Sequence, residues 1–480
     1  MPDHFYRFRP TSALLDGYHE LENQEIYFPT LNELNDPLEG FKDVVWRGDR
    51  IVWRNLFRHY LLCLTRTVSL VAFLGKEFTP KNAGNLVYET DIDLPVAPIR
   101  EIYGRACNAF FNHEAADPLL NNLSETRKAV RRDELTYYLR LIHFSILTTV
   151  VEFFEDNGLK LMKSTSGMAE LSAEVMATVP EILRLHSLAD DDAKVLFFIT
   201  ENITQQLALI HELNNPVPED RRSWLFIAHD FPTYYVTALE RLLYPEWHAA
   251  CFVTDPTNAA MWGHYGDGHQ GMCLKFRGKP NNTGGAGLDL YKATSWGGNN
   301  HVGYSYVAHP FEPIRYTSEF PEIDFFESLG RLPKPKLKNF WYAGQNGELS
   351  DVATTLFSDE AKWREEYWRK FFSIYRTKLP QWSYENEHRI ILSSSLENLE
   401  SKEVRKLKYR FEDLAGIVFG LKTSTESKIA AMRIIERKCV ESRRTDFEFW
   451  QAHYSHRTRQ IELARLGLIK IDPGVVAATT

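Results

Sequence analysis

The chain has 480 residues, enough for two or three packed units, and its 44% hydrophobic and 25% charged residues exclude disordered and fibrous classes. Aromatic residues reach 13%, a richness that favours large cores or stacking pockets. A formal charge of −8 argues against a protein that coats nucleic acid non-specifically, and five scattered cysteines (Cys63, Cys107, Cys251, Cys273, Cys439) argue against a disulfide scaffold or a zinc ribbon.

Those cysteines fit buried thiols in a reducing compartment. The opening MPDHFYRFRP lacks the apolar core of a signal peptide. The longest apolar stretch, 141–154, is shorter than the roughly 18 residues a membrane span needs and contains Glu152. A cytoplasmic protein without a membrane segment is the expectation.

Taken in chain order, FYRF (5–8) and EIYF (25–28) predict short strands around a helix over 11–22, capped by Thr11 or Ser12 and weakened by Gly17. A helical stretch follows. The segment 133–156 is apolar on nearly every side and must be buried among other helices. An amphipathic segment over 172–188 is split by Pro180, a longer helix is predicted over 190–213, and shorter ones over 218–228 and 232–243 each open on a proline. Such a bundle suits docking a protein partner or a second copy of the chain. Strand signals return in HAACFVT (248–254), GMCLKF (271–276), RIILS (389–393) and GIVFG (416–420). The phrases GKPNNTGGAG and WGGNNHVG predict a flexible loop over 278–303, and helices are predicted over 358–377 and from Glu426, with Ile429, Met432, Ile435 and Cys439 on one stripe.

This order predicts an α+β fold: a small antiparallel or split mixed β-sheet core with a long inserted helical bundle and a C-terminal helix. The expected divisions are 1–45 and 244–425 for the β-rich core, 46–243 for the insertion and 426–480 for a helical C-terminal segment.

Three segments carry chemistry. In LNELNDPLEG (31–40), Asn35 and Asp36 before Pro37 form a strong turn signal, and either side chain would also suit the lip of a pocket. In CFVTDPTNAAMWGHYGDGHQGMCLKF (251–276), a strand ends at Thr254, and Thr254 or Asp255 caps a helical turn over 256–264. Gly266, Gly268 and Gly271 then return the chain into the next strand. Trp262, His264, Tyr265 and His269 crowd this corner as a packed aromatic cluster or a stacking pocket for a planar ring. The His264–His269 spacing without thiol neighbours is weak for a metal, and none is expected. In WSYENEHRIIL (382–392), an extended strand would put Glu385, Glu387 and Arg389 on one face, the carboxylates about 6.5–7 Å apart. Such a pair suits acid–base or cation-stabilising work, since mutual repulsion raises one pKa. A solvated edge strand neutralised by Arg389 is the plainer alternative.

FYRFRP with IYFPTLNELNDPLEG, the 251–276 segment, WSYENEHRII and LAGIVFGLKTSTESKIAAMRII together resemble the bacterial family known as domain of unknown function 2971, with its phrases NDP-x-E, MW-x-HY and W-x-YENE-x-R. The resemblance covers roughly 4–42 and 245–440. A looser similarity, to mono-ADP-ribosyltransferases, implies a split sheet that binds NAD as co-substrate. In that scheme Arg7 or Arg9 holds the pyrophosphate and Thr254 supports the nicotinamide ribose. Trp262 and Tyr265 stack on nicotinamide, with His264 beside them. Glu387 stabilises an oxocarbenium-like ribose, and Glu385 positions or deprotonates the acceptor.

The resemblance therefore implies an NAD-consuming ADP-ribosyltransferase or NAD glycohydrolase, of the kind used as an intracellular toxin or phage-defence effector. The acceptor is open: protein, nucleotide, DNA and RNA all fit. Two other classes compete. One is a hydrolase of a glycosidic or phosphodiester bond using Asp36 and Glu387, which must converge within about 5–9.5 Å for glycoside chemistry. The other is a non-enzymatic interaction or ligand-sensing module.

Overall fold

The computed structural model describes residues 2–94, 96–127, 129–158, 177–179, 190–214, 216, 218, 222–280, 284–297, 302–393 and 397–471. The expected segment 172–188, apart from 177–179, lies outside the described residues. The chain divides into two units: Met1–Phe41, Pro245–Phe320 and Phe372–Thr480 form one, and Lys42–Tyr244 with Pro321–Phe371 form the other.

The helical unit is built on α1 (Arg50–Leu74), α2 (Ala97–Phe111), α3 (Arg132–Asp156) and α4 (Asp190–Asn214). Asp49 caps α1 by accepting from the backbone amides of Ile51 and Val52. The stretch Arg50–Glu77 is long and apolar enough to cross a membrane by length and composition, and 72% of its apolar window is buried within the protein. In α3, Leu135, Leu139, Ile142, Ile146 and Val150 are all fully buried, as an apolar surface on most sides requires. The helix over 232–243 becomes an α-helix at Phe231–Leu239 with a final 3₁₀ turn, and that over 218–228 is broken into Arg222–Leu225 and a π turn to Asp230. The unit also claims 321–371, which the sequence placed in the β-rich core. There Glu322–Asp324 runs parallel to Asp43–Trp46, which pairs antiparallel with Val130–Arg131.

The other unit carries the sheets. In chain order its main strands are β1 (His4–Arg9), β2 (Glu25–Tyr27), β3 (His248–Val253), β4 (Met272–Arg277), β5 (Ala286–Trp296), β6 (Val302–Pro310), β7 (Glu387–Leu392), β8 (Lys406–Tyr409), β9 (Leu414–Phe419), β10 (Glu448–Ser455) and β11 (Gln460–Arg465). An eight-stranded sheet runs Glu312–Pro313, β7, β3, β1, β4, β9, β10, β11, antiparallel except between β9 and β10. A second sheet joins β2, β8, β5 and Lys279–Pro280, with β6 on the other side of β5. The main core lies where side chains of both sheets meet: Phe5, Phe252, Leu274 and Ile390 from the first, Ile26, Leu288, Leu290 and Leu407 from the second. Helix α5 (Ala259–His264) and a smaller cluster of Phe8, Val253, Met261, Trp262 and Val418 cover the opposite face. Helix α6 (Thr425–Ser442) adds Ala431, Ile435 and Cys439 to the main core. The fold is α+β, as the order of elements implied.

Four local expectations are corrected. Among its described residues the stretch 278–303 is not a loop throughout: it contains β5, which pairs with β6 along nine Cα partners from Gly287↔Pro310 to Trp296↔Val302. The C-terminal segment is helical only to Ser442 and ends in the β10–β11 hairpin. The single helix over 11–22 is a π turn, Ser12–Asp16, and a short helix, Glu20–Asn23, because Gly17 ends the first and neither Thr11 nor Ser12 caps it. The segment 358–377 forms Glu360–Tyr375, preceded by a separate helix, Asp351–Ser358.

Candidate functional site

The site arises where β1 and β3 part. β1 registers with β4 along six pairs but with β3 at one alone, Tyr6↔Val253. Beyond that pair the strands splay, and a cavity of about 430 Å³ opens between them. β1 supplies Tyr6 to Arg9 to its wall, β3 supplies Ala249, Cys251 and Val253, and β7 brings Glu387 and Arg389. Since Tyr6 pairs with Val253 and Val253 with Glu387, two strand spacings put the Cα atoms of Tyr6 and Glu387 about 10 Å apart. The start of the chain therefore folds beside the acidic segment.

That segment is not one strand. Pro380–Glu385 is a 3₁₀ turn, Asn386 takes a left-handed conformation (φ 45°), and β7 begins only at Glu387. The turn, not strand alternation, brings the carboxylates together, and it buries them rather than leaving them on a solvated edge. Glu385, Glu387 and Arg389 are each 3% exposed or less.

Their charges are held by a network. Lys378 Nζ donates to Glu385 Oε2 at 2.6 Å and to Glu387 Oε2 at 3.3 Å. Arg389 Nε donates to Glu387 Oε1 at 2.6 Å, while Arg389 Nη2 reaches Glu39 Oε2 at 2.8 Å. Tyr265 donates its hydroxyl to Glu385 Oε1 at 2.7 Å, and the Glu387 amide donates to the Tyr316 hydroxyl at 2.8 Å. With all three carboxylates ionised against two cations, the cluster carries one excess negative charge.

The carboxyls do not share that charge equally. Burial pushes Glu387 up, but Arg389 and Lys378 outweigh it and hold the group at about 2. For Glu385, burial wins over the Lys378 attraction and the pKa is raised; Glu39 is raised in the same way despite its Arg389 partner. Lys378 is kept charged because Glu387 and Glu385 together overcome its desolvation. Cys251 is held as a thiol by burial and by the Glu387 charge beside it.

At the β1 wall the electrostatics reverse. Arg7 is 5% exposed, donates from Nη2 to the Tyr27 carbonyl at 2.8 Å, and leaves its buried Nε without a partner. No carboxylate pairs with it among the described residues. Burial and neighbouring Arg9 lower its pKa to about 10, so it remains a cation at neutral pH. Arg9 also faces the cavity, but a bidentate pair with Glu20 occupies its guanidinium.

The other expected residues divide. Asn35, His264 and Tyr265 line the cavity, His264 exposed at the mouth with Nδ1 3.1 Å from the Tyr384 hydroxyl. Trp262 does not line it: fully buried, it donates from Nε1 to the Pro256 carbonyl and packs edge-on against Phe8. Asp36 is buried in its own turn, accepting from the Leu38 amide at 3.0 Å, and is no partner for Glu387 in the cavity. Thr254 lies outside the lining and accepts from the Asn386 side chain at 3.1 Å. Asn258, not Thr254 or Asp255, caps α5, accepting from the Ala260 amide. Arg389 is wholly buried as a strut between two carboxylates.

Sequence reasoning missed Glu39 and Lys378. Glu39 is the last letter of the NDP-x-E phrase, which could have flagged it. Lys378, on the two-residue strand Thr377–Lys378, carried no signal beyond its nearness to Glu385. Gly268 (φ 57°) and Gly271, where an added Cβ would lie 2.4 Å from the Arg9 carbonyl oxygen, set the return turn that holds Tyr265 over Glu385. Among the described residues no group of three or more His, Cys, Asp or Glu side chains is disposed to hold a metal ion. No protein-family model, no curated protein and no solved structure matches this chain.

Proposed function

We propose that this cleft binds NAD and cleaves its bond to nicotinamide, as an ADP-ribosyltransferase or NAD glycohydrolase. The observation that carries the reading is the polarity of one cavity, whose lining includes both a buried guanidinium without an ion pair among the described residues and a cluster of three carboxylates against two cations. A pyrophosphate satisfies Arg7, whose planar fork suits two phosphate oxygens. Loss of nicotinamide builds positive charge on the ribose, and a carboxylate that stays ionised stabilises that charge more in the transition state than in the ground state. Glu387 meets this requirement because Arg389 and Lys378 keep it ionised. Glu385, with its raised pKa and its tyrosine contact, is the group that can take a proton from an acceptor hydroxyl or water. Tyr265, in the lining, takes the ring-facing role that Trp262 does not.

Nicotinamide release from NAD by the purified chain tests the reading. Glu387→Gln should lower kcat about 100-fold or more. Arg7→Gln should act mainly on KM, because its contact is the same in ground and transition states. No release by the wild type, with no NAD binding in calorimetry, would remove the proposal.

A further inference from the structure

The helical unit holds a second cavity, of about 600 Å³, that the reaction above does not use. α1 carries Arg50, Arg54 and Arg58 on one face, every four residues, and the last two line the cavity. Like charges at that spacing repel. The outer two are neutralised: Arg50 pairs with Asp117 and with the Asn121 side chain, and Arg58 pairs with Asp91 at 3.0 Å and donates to Asn55 Oδ1 at 3.1 Å. Arg54, between them, has no ion pair among the described residues. Its Cζ lies 3.9 Å from the centre of the Phe111 ring, and its buried Nε has no hydrogen-bond partner. Tyr103, only 8% exposed and also in the lining, has no oxygen or nitrogen hydrogen-bond partner for its hydroxyl; the Cys107 thiol, Arg58 and Asp91 are the polar groups that act on it.

A buried guanidinium nitrogen with no partner, on a cation flanked by cations, and a buried hydroxyl with only a thiol beside it form an incomplete site. A group with several acceptor oxygens and negative charge completes it. A carboxylate offers two oxygens in one plane, which a single guanidinium already uses up; a phosphate offers three in a pyramid, enough for Arg54 and Tyr103 together. Asn108, Asn112 and Asn339 at the rim add amide donors and acceptors of the kind that read hydroxyl groups. We infer that this cavity binds a phosphate monoester of a hydroxylated molecule, a sugar or nucleoside phosphate, with the phosphate against Arg54 and Tyr103. Stacking on Phe111 holds the Arg54 guanidinium in place before the ligand arrives, so little side-chain entropy is lost on binding. The volume is within the range of small-molecule sites.

Calorimetry on the full chain tests the inference with ribose 5-phosphate, adenosine 5′-monophosphate and inorganic phosphate, and with citrate as the carboxylate control. At least one ester should bind with one-to-one stoichiometry and more tightly than inorganic phosphate. Its affinity should fall tenfold or more in Arg54→Gln and severalfold in Tyr103→Phe, and should be unchanged in Arg7→Gln, which alters only the cleft of the sheet unit. Arg54→Gln removes a repelled cation, so its melting temperature without ligand should be no lower than that of the wild type; should it fail to fold, Tyr103→Phe carries the test. Failure of both esters to bind, equal binding by the variants, tighter binding of citrate, or loss of binding in Arg7→Gln would each overturn the assignment.

Discussion

Lys378 holds the acidic site together, and its own burial makes that role measurable. It is 4% exposed and lies between two carboxylates that would otherwise repel each other. Removing one partner of a buried ion pair costs about 3–5 kcal/mol because the other charge is stranded. Lys378→Met should therefore lower stability by about that amount at pH 8. The pH dependence identifies which charge is stranded. Glu385 has a raised folded pKa, so it takes up a proton as pH falls through that value, and the loss of Lys378 then matters less. Glu387 behaves oppositely: its pKa is depressed to about 2, so its contribution is present above the unfolded value near 4.5 and is lost as pH falls towards 2. Urea midpoints at pH 8 and 5.5 decide it: the deficit of the variant should shrink at the lower pH. An unchanged deficit would mean that Lys378 does not neutralise Glu385.

At the level of elements, the junction between the 3₁₀ turn and β7 sets the spacing of Glu385 and Glu387. It depends on one left-handed residue, Asn386, whose side chain also donates to Thr254 Oγ1 at 3.1 Å. Asparagine tolerates this backbone region; a β-branched residue does not. Asn386→Val should cost about 1–3 kcal/mol, while Asn386→Gly should lose little beyond the Thr254 contact, as thermal melts of the two variants would show. This junction also marks the limit of what the sequence discloses. Strands β1, β3, β4, β7 and β9 of the first sheet and β2 of the second were legible because runs such as CFV and IVF combine β-branched and aromatic residues between turn formers, whereas β8, β10 and β11 were not read. The E-x-E spacing was legible as a pair, but an alternating strand and a turn that doubles back both place those carboxylates together, and periodicity cannot separate them. The pairing of β5 with β6 was hidden by its own boundaries: glycine-rich phrases at both ends outweighed the alternation of Ala286, Leu288 and Leu290 in AGLDLY. Glu39 reaches Arg389 across 350 positions of sequence, a contact no local pattern encodes, while Lys378 stands only seven residues before Glu385 and is turned onto it by a fold-back that periodicity does not show.

Across the whole molecule, buried imidazoles give both units a common sensitivity to acid. In the helical unit His59 Nε2 lies 3.0 Å from the Val87 carbonyl and Nδ1 2.8 Å from the Tyr235 hydroxyl; His143 repeats the arrangement with the Ile227 carbonyl and Tyr60. A carbonyl can only accept, so each Nε2 donates and each Nδ1 accepts, and the neutral ring is fully satisfied. Burial accordingly lowers His59 to about 3 and His143 to about 4, and in the sheet unit it lowers His309 to about 4. A folded pKa below the unfolded value of 6.5 means that the unfolded chain binds more protons, so stability is full above pH 6.5 and falls as pH drops towards the folded values. Each histidine contributes about 1.4 kcal/mol per pH unit within that window. Asp324, raised to about 7 by burial, works in the opposite sense and offsets about one of the three. The histidine term is isolated by difference. His143→Gln should be less stable than wild type at pH 7.5, and the gap should narrow by about 2–3 kcal/mol by pH 4.5, since the wild type alone loses that histidine's share. Denaturant titrations of both chains across this range measure the gap, and a constant difference would mean that His143 is protonated as readily in the folded chain as in the unfolded one.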